Sequence, residues 1–287
     1  RSDTNISQEN ADNSEENGEN SKGIATNLEE IGKNPEEIAE LFWAHPGSVD
    51  LCKCFPKVFI MDATYKTNKY RWPFLQIVGV TSTYKTFTAC QVLMCSEKQA
   101  DYTWALKRFQ LLLGNLTPSV IVTDRDYALM NATQVVFPNA DKHLCRFHIA
   151  TNVLRKGMDL LPTDKDIENL KLFWNCAVKS PTPEIFDKRF SRIEKMFRKE
   201  YYGLVCYLRN TWLIHKEMFV AAWTNRHLHF GCTTTNRVEG AHFQLKKDLG
   251  HTCQHDLLGM WSLIHPATNI QLREIRSSFE RSLVHTA

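Results

Sequence analysis

The chain has no Cys-x-x-Cys pair, no apolar run longer than the six residues from Met218 to Trp223, and no basic-then-apolar opening. Each absence excludes something. A membrane-spanning helix needs about 20 apolar residues, so none is expected. The opening is polar and acidic and begins with Arg1 rather than Met, so no secretory signal is read and the chain is expected to be a fragment of a longer protein. Nine cysteines are an odd number scattered over 287 residues, which argues against a disulfide framework and for a reducing compartment. Cys52 and Cys54 form a lone Cys-x-Cys with no second half of matching spacing, and they read as buried or incidental thiols.

Aromatic residues are almost missing from residues 1–34, where Asn, Ser, Glu and Asp dominate; such a stretch cannot bury enough apolar surface to offset the entropy of ordering, and disorder is expected. The net charge of +3 is therefore uneven. Residues 1–40 carry eleven acids and three bases, a balance of −8, which leaves +11 on residues 41–287. A basic body suits a polyanionic partner, although many soluble domains are mildly basic without one. With 43% hydrophobic residues, that body can hold a real core.

Within the body, Val58 to Met61 is a continuous branched and aromatic run, the pattern of a strand covered on both faces, and it delivers Asp62 where the strand surfaces. Phe74–Thr81 and Thr86–Cys95 follow as strands joined by the short Ser82–Lys85 turn, giving an antiparallel meander. Asp101–Leu113 has helical spacing closed by Gly114. After that crossover, Ser119–Thr123 is expected to pair parallel with the first strand and to set Asp124 beside Asp62. Two neighbouring carboxylates call for a cation between them. Asp126 is the second-ranked ligand, because an acid opening the helix Tyr127–Val136 commonly caps it. A short helix is expected from Pro35, with Ile38, Leu41 and Phe42 inward.

Lys142–Phe147 reads as a fifth strand carrying Cys145, with His148 just beyond. Their Cys-x-x-His spacing allows half a zinc site, but a structural zinc takes four ligands, so a packed thiol and a hydrogen-bonded imidazole are favoured. No strand pattern follows between residues 150 and 230, only helical spacing such as Leu170, Trp174, Ala177 and Phe186, Phe190, Ile193, Phe197. Lys188, Arg192, Lys195 and Lys199 line one helical face there, either as a DNA-backbone surface or as a solvated face over an apolar stripe. Thr233-Thr-Thr-Asn236 supplies cap residues before a helix to about Asp248, with Glu239 in its first turn and Arg237 and His242 alongside. Leu257–Leu283 is helical by pattern and is expected to cover the sheet.

The ordered segments Met61-Asp-Ala-Thr-Tyr-Lys-Thr-Asn68, Val122-Thr-Asp-Arg-Asp-Tyr-Ala-Leu-Met-Asn-Ala132, Leu144-Cys-Arg-Phe-His148 and Thr234-Thr-Asn-Arg-Val-Glu-Gly240 resemble the Mutator-like (MULE) transposase domain, with the far-red-impaired-response proteins of plants as relatives. The resemblance implies an α/β fold: an RNase H-like mixed five-stranded sheet with a large all-helical insertion. It divides the chain into an acidic segment 1–40, a first core part 41–149, an insertion 150–230 and a second core part 231–287. It also implies a DDE triad of Asp62, Asp124 and Glu239 holding two Mg²⁺ or Mn²⁺ ions for DNA strand cleavage and strand transfer. The family's Cys-x-x-His motif falls on Cys145 and His148 beside the triad, and Arg237, His242 and Lys246, from their places near Glu239, are candidates to hold the scissile or flanking phosphates. Transposon ends and target DNA, self-association on DNA and a nuclear setting follow from the same resemblance. The alternative it leaves open is a domesticated DNA-binding transcriptional regulator that no longer cuts.

Overall fold

The structure, a computed structural model, describes residues 40–284; the segment read as disordered and the start of the helix read from Pro35 lie outside the described residues. A single six-stranded sheet runs in the order β1-β4-β3-β2-β5-β6. Its strands are β1 (Glu40–Trp43), β2 (Val58–Thr64), β3 (Phe74–Val80), β4 (Thr86–Met94), β5 (Val120–Thr123) and β6 (Asp141–Leu144). β2, β3 and β4 form the expected antiparallel meander, and β5 joins β2 in parallel. β6 extends the parallel half. A meander followed by two parallel strands beyond its first member is the RNase H-like arrangement, with one extra strand at the far edge.

That extra strand corrects an expectation. Leu41 and Phe42 belong to a strand pairing antiparallel with β4, not to a helix. Their partners show a period of two: Leu41 and Trp43 pack with Phe74 and Leu93, whereas Phe42 packs into the opposite cluster around Phe59 and Phe87. The open edge of β4 supplies the hydrogen bonds, and Trp43 Nε1 donates to Gln91 Oε1 at 2.7 Å. The following helix, α1 (Pro46–Cys54), has no counterpart in the sequence reading.

The remaining core helices fall where periodicity puts them: α2 (Gln99–Leu113) ends at Gly114 with φ 62°, and α3 (Tyr127–Val136) follows β5. Beyond β6 the described chain stays helical for a long stretch: α4 (Arg146–Leu160), α5 (Asp164–Val178), α6 (Pro183–Phe197), α7 (Tyr202–Tyr207), a π-helical turn Leu208–Trp212, a 3₁₀ segment Leu213–Met218 and α8 (Ala221–Thr224). These elements build their own apolar core around Trp174, Phe186, Phe190, Phe197, Trp212 and Phe219. The chain then returns through α9 (Asn236–Asp248) and α10 (Leu257–Val284). No helix of the described residues is long and apolar enough to cross a membrane.

Alternation along the strands decides what faces what. Phe59 and Met61 point into the cluster under α2 and α3, while Val58, Ile60, Val120 and Val122 point the other way, against Val238 and Ala241 of α9. Asp62 and Asp124 continue the second set. α10 lies across the same sheet, with Gln271 Oε1 accepting from Thr88 N at 3.0 Å, as expected of a covering helix.

Packing in the meander leaves no room at Gly79, where an added Cβ would lie 2.3 Å from Cζ of Phe87. Gly79→Ala should therefore cost about 1–3 kcal/mol, the usual range for overpacking a core. Thermal unfolding will show this as a lowered midpoint; an unchanged midpoint would mean the Phe87 ring can move aside.

Candidate functional site

Register brings the acids together. Ile60 of β2 is paired with Val122 of β5, so residues two places further along, Asp62 and Asp124, emerge side by side at one end of the parallel pair. Thr123 is paired with Leu144 of β6, which sets Cys145 next to Asp124 and allows Cys145 N to donate to Thr123 O at 2.9 Å. α9 packs on this face through Val238, so the adjacent Glu239 is delivered to the same place from above.

His148 is the hinge of the cluster. Its Nδ1 lies 2.6 Å from Asp124 Oδ1 and its Nε2 lies 3.6 Å from Glu239 Oε1. The hydrogen bond with Asp124, followed by that with Cys145, raises its pKa to about 10 against the opposing effect of burial. It is therefore an imidazolium at neutral pH, the one positive charge set directly between two of the acids. Asp62 is pushed up to about 7, chiefly by burial and then by the charge of Asp124, with Glu239 adding a smaller push and His148 opposing it. His242 Nδ1 approaches Asp62 Oδ2 only to 3.7 Å, too far for a hydrogen bond. Burial lowers the His242 pKa to about 4, so the ring is neutral, and its buried Nε2 has no partner.

Two residues differ from the sequence reading. Cys145 is not on a strand: β6 ends at Leu144, and Cys145 is the N-cap of α4, its Sγ accepting from His148 N at 3.5 Å. The parallel ladder ends with Thr123, and the chain turns directly into the helix. Arg237 does not face the acids. It donates to Tyr84 O at 3.0 Å and Thr86 Oγ1 at 2.9 Å, at the turn between β3 and β4. Asp126, by contrast, caps α3 as its ranking anticipated, accepting from Ala128 N at 2.7 Å and Leu129 N at 3.0 Å. Lys188, Arg192 and Lys195 sit exposed on α6 with Lys199 just past its end, and Phe186, Phe190, Ile193 and Phe197 of the same helix are buried.

The sequence reading missed Thr235. This residue is fully buried and stands at the N-cap position of α9, yet its hydroxyl makes no cap bond. Instead Oγ1 lies 2.8 Å from Glu239 Oε1, 3.3 Å from Asp124 Oδ1, and 3.2 Å from both His148 Nδ1 and Cys145 Sγ. One hydroxyl has one proton, and the shortest contact assigns it to Glu239. A run of three threonines before a helix signals only capping, so nothing in the pattern marked the third of them.

Asp124, Cys145 and His148 offer donor atoms within 4.8 Å of one another, a grouping that could hold a metal ion. The three carboxylates offer a different, oxygen-only donor set.

Residues 58–152 match the MULE transposase domain. The match carries Asp62, Asp124, Cys145 and His148 and stops before Glu239. At 25% identity the chain is similar over 207 residues to Protein FAR-RED IMPAIRED RESPONSE 1 of Arabidopsis thaliana, covering 70% of this chain and 24% of that protein. Over 182 residues, also at 25%, it is similar to Protein FAR1-RELATED SEQUENCE 2 of the same plant, covering 62% and 22%. The chain thus spans less than a quarter of the length of these two relatives. Among solved structures it is similar to the HTLV-2 integrase catalytic core domain in complex with magnesium, at 19% identity and a TM-score of 0.23, covering 44% of this chain and 89% of that one. So loose a superposition carries no argument, and the fold assignment rests on strand order and register.

The raised Asp62 pKa has a consequence for stability. An acid whose folded pKa lies above its unfolded value loses stability as pH rises from about 4 through 7. Asp62→Asn cannot ionise, so its stability advantage over the parent should be nil below pH 4, grow up to pH 7, and level at about 1–3 kcal/mol above it. Urea unfolding in EDTA at several pH values will measure this; a difference independent of pH would mean that Asp62 does not feel its neighbours.

Proposed function

We propose that this chain is the catalytic region of a Mutator-like DDE transposase, with Asp62, Asp124 and Glu239 as the ligands of two divalent cations, Mg²⁺ or Mn²⁺. The observation that carries the reading is the convergence of three half-buried carboxylates, from β2, from just past β5 and from α9, at one end of the central parallel strand pair, with Asp62 driven up to about 7 by burial and by the charge beside it. Such a cluster is costly without a cation, and all-oxygen donors suit a hard one. When bound, two such ions lower the pKa of water and neutralise charge at a phosphodiester under attack. The side chains have separate tasks around that chemistry. Thr235 fixes the rotamer of Glu239 through its hydroxyl. His148 holds Asp124 through its Nδ1. Neutral His242 walls off Asp62 without competing as a cation. Cutting at an element end would free a 3′-hydroxyl, which then attacks target DNA. DNA is the partner, self-association on DNA the mode and the nucleus the setting in this reading.

A second reading is a domesticated regulator that keeps the fold and binds DNA without cutting. One specific observation favours it: the His148 imidazolium already offsets Asp124 and Glu239, so those two acids have a counter-charge without metal.

The two readings separate in a nicking assay that uses the whole protein with its recognition modules and matched element ends. Asp62→Asn, Asp124→Asn and Glu239→Gln should each lower Mg²⁺-dependent nicking by about a thousandfold or more, since amides keep the shape but lose the charge a hard cation needs. Asp126→Asn should leave nicking largely intact and change stability little, because the amide oxygen still accepts from Ala128 N and Leu129 N as the N-cap of α3. A parent that binds DNA but never nicks it selects the regulator, and an inert Asp126→Asn beside an active Asp124→Asn makes the triad wrong by one ligand.

The exposed face of α6 has its own test. Reversing the charge at Lys188, Arg192, Lys195 and Lys199 together should reduce the slope of log affinity against log salt by about 0.9 for each phosphate that these side chains had neutralised. An unchanged slope identifies a solvated face with no part in binding.

A further inference from the structure

Four arginines among the described residues are half-buried: Arg125, Arg146, Arg189 and Arg237. Three of them make short hydrogen bonds. Arg146 donates to Phe219 O at 2.6 Å and Thr224 Oγ1 at 2.7 Å, Arg189 to Cys176 O at 2.6 Å and Ser180 Oγ at 3.3 Å, and Arg237 to the turn between β3 and β4. Arg125 is different. Its Nη1 reaches Thr211 O and Tyr127 Oη only at 3.4 Å, beyond the range of a good N–H···O bond. It forms no ion pair with any carboxylate among the described residues. The acids on either side of it in sequence are committed elsewhere, Asp124 to His148 and Asp126 to the cap of α3.

Yet this guanidinium is held in place. Its Cζ sits 4.7 Å from the centre of the Trp212 ring and 5.4 Å from that of Tyr127. Trp212 is buried and ends the π-helical turn Leu208–Trp212, an irregularity of the kind often found at functional sites. Tyr127 is exposed. The two rings locate the guanidinium while its five donors make only two long contacts, which leaves most of the fork for an anion. Arg125 directly follows Asp124 in the chain, just past the end of β5.

We infer that Arg125, clamped between Trp212 and Tyr127 where the helical block meets the sheet, is a binding site for a DNA backbone phosphate next to the carboxylate cluster. This rests on the DNA reading above and deepens it. The planar fork matches two phosphate oxygens at once, and the contact carries no sequence information.

The test is binding of the 287-residue chain to duplex DNA of random sequence in EDTA, followed by fluorescence anisotropy over a range of salt. Arg125→Ala should weaken binding by about tenfold and reduce the salt slope by about one unit, equally for unrelated sequences. Arg125→Lys keeps the charge but loses the stacked fork, so it should keep the slope and bind with intermediate affinity. Arg125→Ala that melts like the parent and keeps the parent's slope overturns the inference, as does a parent with no measurable binding. Should Arg125→Ala not fold, phenylglyoxal modification of the parent answers instead: Arg125 must be modified in free protein and protected by DNA, and equal modification in both refutes the site. Because no metal is present, nicking is not measured. A whole protein that never nicks in the Mg²⁺ assay above, while DNA still protects Arg125 in this one, therefore removes the catalytic reading and leaves this one standing.

Discussion

Carboxylates gathered at one end of a strand pair repel one another, and the side chains around Asp62, Asp124 and Glu239 are arranged to contain that repulsion. His148 supplies a positive charge 2.6 Å from Asp124, and Thr235 supplies a hydroxyl proton at 2.8 Å to Glu239. Asp62 receives neither, and it is the acid whose pKa climbs to about 7. The uneven treatment of three similar groups is the electrostatic centre of the molecule. Much of the surrounding architecture, from the parallel register of β2 and β5 to the seating of α9, can be understood as what is needed to hold them there.

Most of the scaffold could be read from the residues because it follows from two periods. A period of two on a buried sheet distributes Phe59 and Met61 to one side and Val58, Ile60 and Asp62 to the other; a period of 3.6 exposes the amphipathic faces of α5 and α6. Parallel pairing after a helical crossover then places Asp124 beside Asp62 with no further information. The approach of Glu239 was less legible: its helix was clear, but a first-turn acid is ordinary, and only the packing of Val238 on the sheet shows where it points.

The failures are equally physical. Leu41 and Phe42 fit either period, and the choice was made by an unpaired edge of β4 that no local pattern reveals. Cys145 reads as part of a strand running to Phe147, whereas the strand stops at Leu144 and Cys145, with a non-helical ψ of 111°, already caps the helix. Arg237 looked like a phosphate ligand because it sits two residues from Glu239, but on a helix that offset turns it to another face, where the turn at Tyr84 offers a carbonyl. Thr235 and Arg125 were passed over for one shared reason. Their distinction lies in which partners they have or lack in space, a property that residue type and spacing do not encode.

The long helical block between β6 and α9 bears on how the site closes. Asp124 and Glu239 stand 115 residues apart in the chain. As a slack loop, that separation would cost about 2 kcal/mol more to close than a ten-residue connection, from the logarithmic growth of closure entropy. The block is not slack: it has its own apolar core, and its two ends are clasped where Arg146 N donates to Thr233 O at 3.0 Å. Once that core has formed, the effective tether joining the two halves of the carboxylate cluster shrinks from 115 residues to the 22 from Asp124 to Arg146 and the 6 from Thr233 to Glu239. A large insertion can thus lie between the second and third acids with little entropic penalty on bringing them together.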